Sequence, residues 1–128
     1  MPFETNVFIN CPFDEEFKQL LNPLLFCVIY LRFEPSISQT DSSAEPRITQ
    51  IKRRIRNARL SIHDLSRCTP AGSESLPRHN MPFELGLDIG ARVYNPKKHR
   101  SKRSLILEKE KYRFQAAISD LSNSDIKH

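Results

Sequence analysis

Ser61-Ile62-His63-Asp64-Leu65-Ser66 and Asn80-Met81-Pro82-Phe83-Glu84-Leu85-Gly86-Leu87 are the stretches that decide the fold of this 128-residue chain. The first is a short, largely apolar run that ends in an acid and a hydroxyl, as a buried strand does when it reaches the rim of its sheet. The second starts with polar residues and a proline and continues into helix formers, which places Glu84 in the first turn of a helix. In an open parallel sheet, strand carboxyl ends and the following helix starts form the crevice where ligands bind. Asp64 and Glu84 are therefore expected to converge on one cleft, with two carboxylates available for acid/base or nucleophilic chemistry on a sugar or nucleotide.

Working outward, Asn6-Val7-Phe8-Ile9-Asn10 reads as a first strand, and Cys11-Pro12-Phe13 turns it toward a helix with Asp14 as N-cap. Beyond Phe17, the residues Leu20, Leu21, Leu24, Leu25 and Val28 recur at helical spacing. Pro23 is expected to kink this helix or restart it with Asn22 as cap. A brief second strand is expected at Arg32-Phe33-Glu34, followed by a polar loop from Ser36 to Glu45. Pro46 opens a second helix whose apolar stripe is Ile48, Ile51, Ile55 and Ala58. Leu60 to Leu65 forms the third strand, and Ser66 to His79, with Pro70, Gly72 and Pro77, a loop.

A third helix spans Pro82 to Val93. Its Gly86 and Gly90, four residues apart, are expected to clear one face for close approach to the sheet, since each lowers helix propensity by about 1 kcal/mol. Asn95 to Arg103 reads as a basic loop, Ser104 to Leu107 as the fourth strand, and Tyr112 to Ile118 as a short helix before a polar tail. Strands alternating with helices indicate βαβ units. The expectation is a single flavodoxin-like α/β domain over residues 1–128: a three-layer sandwich around a parallel sheet of four to five strands. Its closing helix is missing, through a trimmed end or a face covered by a partner or a second copy.

The composition is that of a globular domain, with 38% hydrophobic and 27% charged residues. No apolar run approaches the roughly 20 residues that span a bilayer, and the first residues lack the basic-then-apolar order of a secretory signal. Cys11, Cys27 and Cys68 fit neither a disulfide framework nor a zinc pattern. A reducing cytoplasm is the expected compartment. The net charge of +5 falls largely in two runs, Arg47 to Arg59 and Lys97 to Arg103. A solvated helix face and a solvated loop account for them, and so does attraction for phosphate-bearing ligands. No zinc-finger, RRM or helix-turn-helix signature supports nucleic acid as the partner.

Competing readings stand for the main candidate residues. Glu84 is either a reactive carboxylate, partly desolvated by Met81, Pro82, Phe83, Leu85 and Leu87, or an acid that simply favours its helix dipole. Asp64 faces the cleft or caps the turn at Ser66 and Arg67. Asp88, one turn beyond Glu84, contacts ligand, supports the site from behind or is exposed. The turn Asn10-Cys11-Pro12-Phe13 leaves the same edge of the sheet, and Phe13 either stacks on a base or staples the first helix. Cys11 has no evident histidine partner and reads as a buried thiol. His63 should point to the face opposite Asp64, while His79 has the reach to enter the cleft. No histidine shows metal-ligand spacing, and neither a GxGxxG nor a P-loop motif is present.

Asn6-Val-Phe-Ile-Asn-Cys-Pro-Phe13, the strand end Asp64-Leu-Ser66 and the helix start Phe83-Glu84-Leu-Gly-Leu87 together resemble the nucleoside 2-deoxyribosyltransferase superfamily and related TIR-like domains. The resemblance spans roughly residues 5 to 108 and is most specific at Phe-Glu-Leu-Gly. It implies Glu84 as nucleophile and Asp64 as the ligand-contacting acid. It also implies sugar- and base-facing positions at Asn10, Cys11, Pro12 and Phe13; Ser66, Met81 and Asp88 are further ligand-binding candidates by their places at the strand end and the helix start. The implied activity is cleavage or transfer of an N-glycosidic bond in a nucleoside, a nucleotide or NAD, with neither metal nor redox cofactor. Bacterial antiphage defence or nucleotide signalling would be the cellular setting. A non-catalytic nucleotide-sensing or oligomerising module is the alternative.

Overall fold

Every buried strand of this chain is short, and the helices between them set the order in which they pair. The computed structural model describes residues 2–38, 45–67, 79–110, 118, 120 and 126–127. In chain order these form β1 (Asn6–Asn10), α1 (Glu15–Tyr30), β2 (Glu34–Ser36), α2 (Arg47–Arg56) and β3 (Leu60–Asp64). There follow α3 (Asn80–Tyr94), α4 (Pro96–His99), β4 (Arg103–Leu107) and β5 (Ile126–Lys127). All strand pairs are parallel, in the order β2-β1-β3-β4-β5. That is the flavodoxin-like order, with its switch point between β1 and β3. The expected helix at Tyr112 to Ile118 lies outside the described residues but for its last position, and so does most of the loop from Ser66 to His79.

Strand alternation builds the three layers. On β1, Val7 and Ile9 face α1 and pack with its Phe17, Leu21 and Val28. Phe8 points the other way, onto Ile51 and Ile55 of α2, with Leu87 and Ala91 of α3 beside it. Leu85 and Met81 of α3 close on Ile106 of β4 and Leu65. Asp14 caps α1 by accepting from the Phe17 amide at 2.8 Å. Pro23 sits inside α1, which neither breaks nor restarts there. Helix ends favour a left-handed residue, usually glycine. Here Arg32 takes that role at φ 65°. The helix runs to Tyr30, so the second strand begins at Glu34 rather than at Arg32.

Two expectations about α3 and its exit are corrected. A Cβ built on Gly86 would meet nothing within 4 Å, and at Gly90 only the Tyr94 ring at 3.9 Å. Neither glycine permits a close approach to the sheet. The basic segment after α3 is not wholly solvated either, because His99 and Lys102 are buried in the short helix and turn that lead into β4. Beyond α1, its face of the sheet carries an open apolar groove of about 280 Å³ lined by Val28, Leu31, Phe33, Leu60, Ile62 and Leu105. Among the described residues no helix is long and apolar enough to cross a membrane.

Because Gly86 is exposed within a helix and its Cβ position is open, Gly86→Ala is expected to raise the unfolding free energy by about 0.5–1 kcal/mol. Urea denaturation checks this, with unchanged slope and a higher midpoint.

Candidate functional site

A chain of buried polar groups runs from behind the sheet to the start of α3. Lys102, 2% exposed, places its Nζ 2.9 Å from Asp88 Oδ1 and donates to the carbonyls of Ile55 and Ala58. Asp88 Oδ2 lies 3.0 Å from His63 Nε2, and it accepts from Ser61 and, at 2.9 Å, from Ser104. On the far side of the imidazole, Asn10 Nδ2 is 2.8 Å from His63 Nδ1 and donates to the Met81 carbonyl at 2.9 Å. An amide nitrogen carries two hydrogens and no acceptor. The Asn10 bond therefore assigns His63 Nδ1 as the acceptor and Nε2–H as the donor to Asp88. Burial alone would push the Asp88 pKa up. The hydrogen bond from His63 and the charge of Lys102 outweigh it and hold the carboxyl well below the usual carboxylate range.

This chain pins the first two turns of α3 against the ends of β1 and β3. Glu84, between the two anchor points Met81 and Asp88, is buried. Its carboxylate makes no hydrogen bond or ion pair among the described residues, and it lines a cleft of about 330 Å³ at the strand carboxyl ends. Asn10, Cys11, Pro12, Phe13, Met81 and Arg47 line the same cleft. Burial raises the Glu84 pKa to about 7, against the pull of the Arg47 guanidinium. Near neutral pH this carboxyl is divided between acid and base, which suits acid/base work and leaves an ionised fraction able to act as a nucleophile.

The other sequence candidates divide by strand face. Asp64 lies on the face of β3 that carries Ile62 and turns toward α1, while His63 turns toward α3. Asp64 lines a neighbouring cleft with Phe17, Leu20, Ser66 and Arg67, not the one holding Glu84. The expectation of two acids in one pocket is thus corrected to two acids in neighbouring clefts, both close enough to Cys11 to raise its thiol. Asp64 Oδ1 accepts from the Ser66 amide at 3.0 Å and from its hydroxyl at 2.5 Å, which is the turn-capping arrangement. Burial raises its pKa, and the Ser66 bonds oppose that. Between the clefts, Arg67 bridges Asp14 and Glu16 at 3.1–3.3 Å.

Asp88 does not line the Glu84 cleft. Its carboxylate is turned inward, because Lys102 and His63 supply there the charge and the donor that a buried acid needs. Ser66 stands with Asp64. The Cys11 thiol is pushed up to about 12 by burial and by the charges of Asp64, Glu84 and Asp14, so it is no nucleophile at neutral pH. Phe13 is half-buried against the core of α1, as the staple reading expects, and it also lines the cleft. His79 is exposed and only precedes α3. Among the described residues no cluster of His, Cys, Asp or Glu has the makings of a metal site.

Arg47, Ser38 and Asn80 are cleft residues that sequence reasoning did not single out. Arg47 carried a signal. It is a cation in the first turn of a helix with no acid there, against the macrodipole, which marks a charge placed for another purpose.

No protein-family model and no curated protein matches this sequence. Among solved structures, the chain is similar to a 2-deoxyribosyltransferase from Leishmania mexicana, with TM-score 0.57 and 20% identity over 83% of this chain. It spans 65% of that protein's length. It is also similar to a CMP N-glycosidase from Clostridium botulinum, with TM-score 0.60 and 16% identity, covering 95% of this chain and 87% of the other. The fold is therefore nucleoside deoxyribosyltransferase-like.

The raised Glu84 pKa has a consequence for stability. Between pH 4.5 and about 7 the folded chain holds a proton that the unfolded chain has lost, so this group makes stability fall as pH rises through that window. Glu84→Gln is expected to match wild type near pH 4.5 and to exceed it at pH 8 by about 2 kcal/mol, the full shift being reduced because the carboxylate opens to solvent. Chemical denaturation at the two pH values measures the difference.

Proposed function

We propose that this chain cleaves the N-glycosidic bond of a nucleoside or nucleotide, with Glu84 as the group that acts at the anomeric carbon. The observation that carries the reading is a buried carboxylate without a partner among the described residues, with a pKa of about 7, opening into a cleft at the switch-point edge of the sheet. The similarity to two proteins named for this bond chemistry supports the choice of substrate class. A cleft of about 330 Å³ is at the lower end of small-molecule sites and suits a ligand of nucleoside or nucleotide size.

In the proposed reaction the C1′–N bond breaks and its electron pair leaves with the base. Positive charge develops at C1′ and O4′. Ionised Glu84 bonds to C1′ or shields that charge, and water or a second nucleophile completes the exchange. Asp14 lines the cleft, but its carboxylate is held by the α1 amide and by Arg67, so it is not placed to protonate the base. A leaving group that departs on its own positive charge, such as the nicotinamide of NAD, or one protonated by solvent fits this site best. The step calls on neither metal nor redox cofactor. Arg47 would hold ligand phosphate or moderate the charge on Glu84.

A second reading is a module that binds nucleotide without turnover and associates with another copy. It is favoured by Asp64, which stands in the neighbouring cleft and leaves Glu84 without the second acid expected beside it, and by the open groove over β3 and β4.

Incubation with a panel of nucleosides, nucleotides and NAD, followed by chromatography, tests the proposal. Wild type is expected to release free base and Glu84→Gln to lose at least 100-fold in rate, roughly the worth of a positioned catalytic group. The dependence of kcat/KM on pH should rise with a midpoint near 7. Arg47→Ala should move that midpoint upward, since the guanidinium favours the ionised carboxylate. Ligand-induced thermal stabilisation without base release would instead support the binding module.

A further inference from the structure

The buried polar chain leaves one atom aimed at the cleft. Asn10 Nδ2 spends its two hydrogens on the Met81 carbonyl and His63 Nδ1. Reversing the amide would set two carbonyl oxygens against each other at 2.9 Å, so its orientation is fixed whichever way the imidazole is drawn. Asn10 Oδ1 is therefore turned away from both. It accepts no hydrogen bond among the described residues, and it is not among the sealed-off polar atoms without a partner. The residue is 4% exposed and lines the Glu84 cleft. The result is a rigid acceptor that cannot become a donor.

We infer that Asn10 is a specificity-determining residue whose Oδ1 accepts a hydrogen bond from the ribose 2′-hydroxyl, so that the site prefers ribosyl over 2′-deoxyribosyl ligands. This rests on the reading of Glu84 as the group acting at C1′. Met81, to which Asn10 is tied, stands three residues before Glu84, about one helical turn, and Asn10 and Glu84 line the same cleft. Around C1′ the ring oxygen and the glycosidic nitrogen carry no hydrogen. The 2′-hydroxyl is the donor nearest the reacting carbon, and a fixed acceptor beside Glu84 has that hydroxyl to meet. A 2′-deoxy ligand would leave Oδ1 desolvated and without a partner, which disfavours it more than the mean strength of one hydrogen bond.

The test measures binding with the full chain carrying Glu84→Gln, so that turnover does not intervene. The ligands are the four common ribonucleosides, their 5′-monophosphates, and the 2′-deoxy and 2′-fluoro counterparts of each. The ribosyl forms are expected to bind about tenfold more tightly than both counterparts. Adding Asn10→Ala should bring that ratio to within about twofold. Equal affinity for ribosyl and 2′-deoxy forms overturns the inference, as does a preference that persists unchanged with Asn10→Ala. If Asn10→Ala does not fold, the 2′-fluoro arm decides, because fluorine fills the place of the hydroxyl without donating. Base release by wild type is followed in parallel. Ribosyl preference without any release leaves the Asn10 assignment standing and removes the glycosidic reading. Failure of every ligand to bind overturns both.

Discussion

The charge on Lys102 is the constraint around which this domain is organised. A lone ammonium in the interior costs several kcal/mol, and removing one partner of a buried pair costs about 3–5 kcal/mol. The chain meets that cost with Asp88 and two main-chain carbonyls, one in the last turn of α2 and one just after it. Asp88 in turn draws in His63, Ser61 and Ser104, so α3 is bound to β3 and β4 by contacts that are costly to leave incomplete. Apolar packing of α3 through Met81 and Leu85 tolerates small shifts. The polar chain does not, because each member has one geometry that satisfies its neighbours.

That rigidity gives the cleft its chemistry. Glu84 is held within the α3 segment anchored through Met81 and Asp88, and the held position keeps its carboxylate buried yet open to one side. Burial raises its pKa, and the Arg47 charge limits the rise. The similarity to solved structures accounts for the scaffold. Chemistry belongs to the site, where Glu84, the Asn10–Phe13 turn and Arg47 meet.

Much of this was legible in the chain. Asn6–Asn10 is an apolar run between polar residues and folds as the first strand with the same limits. Asp14, α1 and the sequence Leu60–Asp64 follow equally simple patterns. A strand-end position does not say which of two neighbouring clefts a carboxylate enters, and Asp64 enters the one beside α1. Gly86 and Gly90 look like a packing stripe by spacing alone, yet a glycine spacing does not say which way the helix turns. Lys102, within a run of basic residues, carries no local mark of burial. Its partner Asp88 is fourteen residues earlier, in α3, and the turn back through α4 toward β4 returns Lys102 to it.

The tautomer of His63 reports on the whole chain from Lys102 to Met81 at once. Nitrogen-15 NMR of the imidazole in the full chain at pH 8 is the most direct measurement. The account predicts a neutral ring protonated at Nε2, with Nδ1 in the shift range of a hydrogen-bonded acceptor. A ring protonated at Nδ1, or one averaging between tautomers, would mean that Asn10 does not tie β1 to the start of α3 and that Glu84 is not held as described.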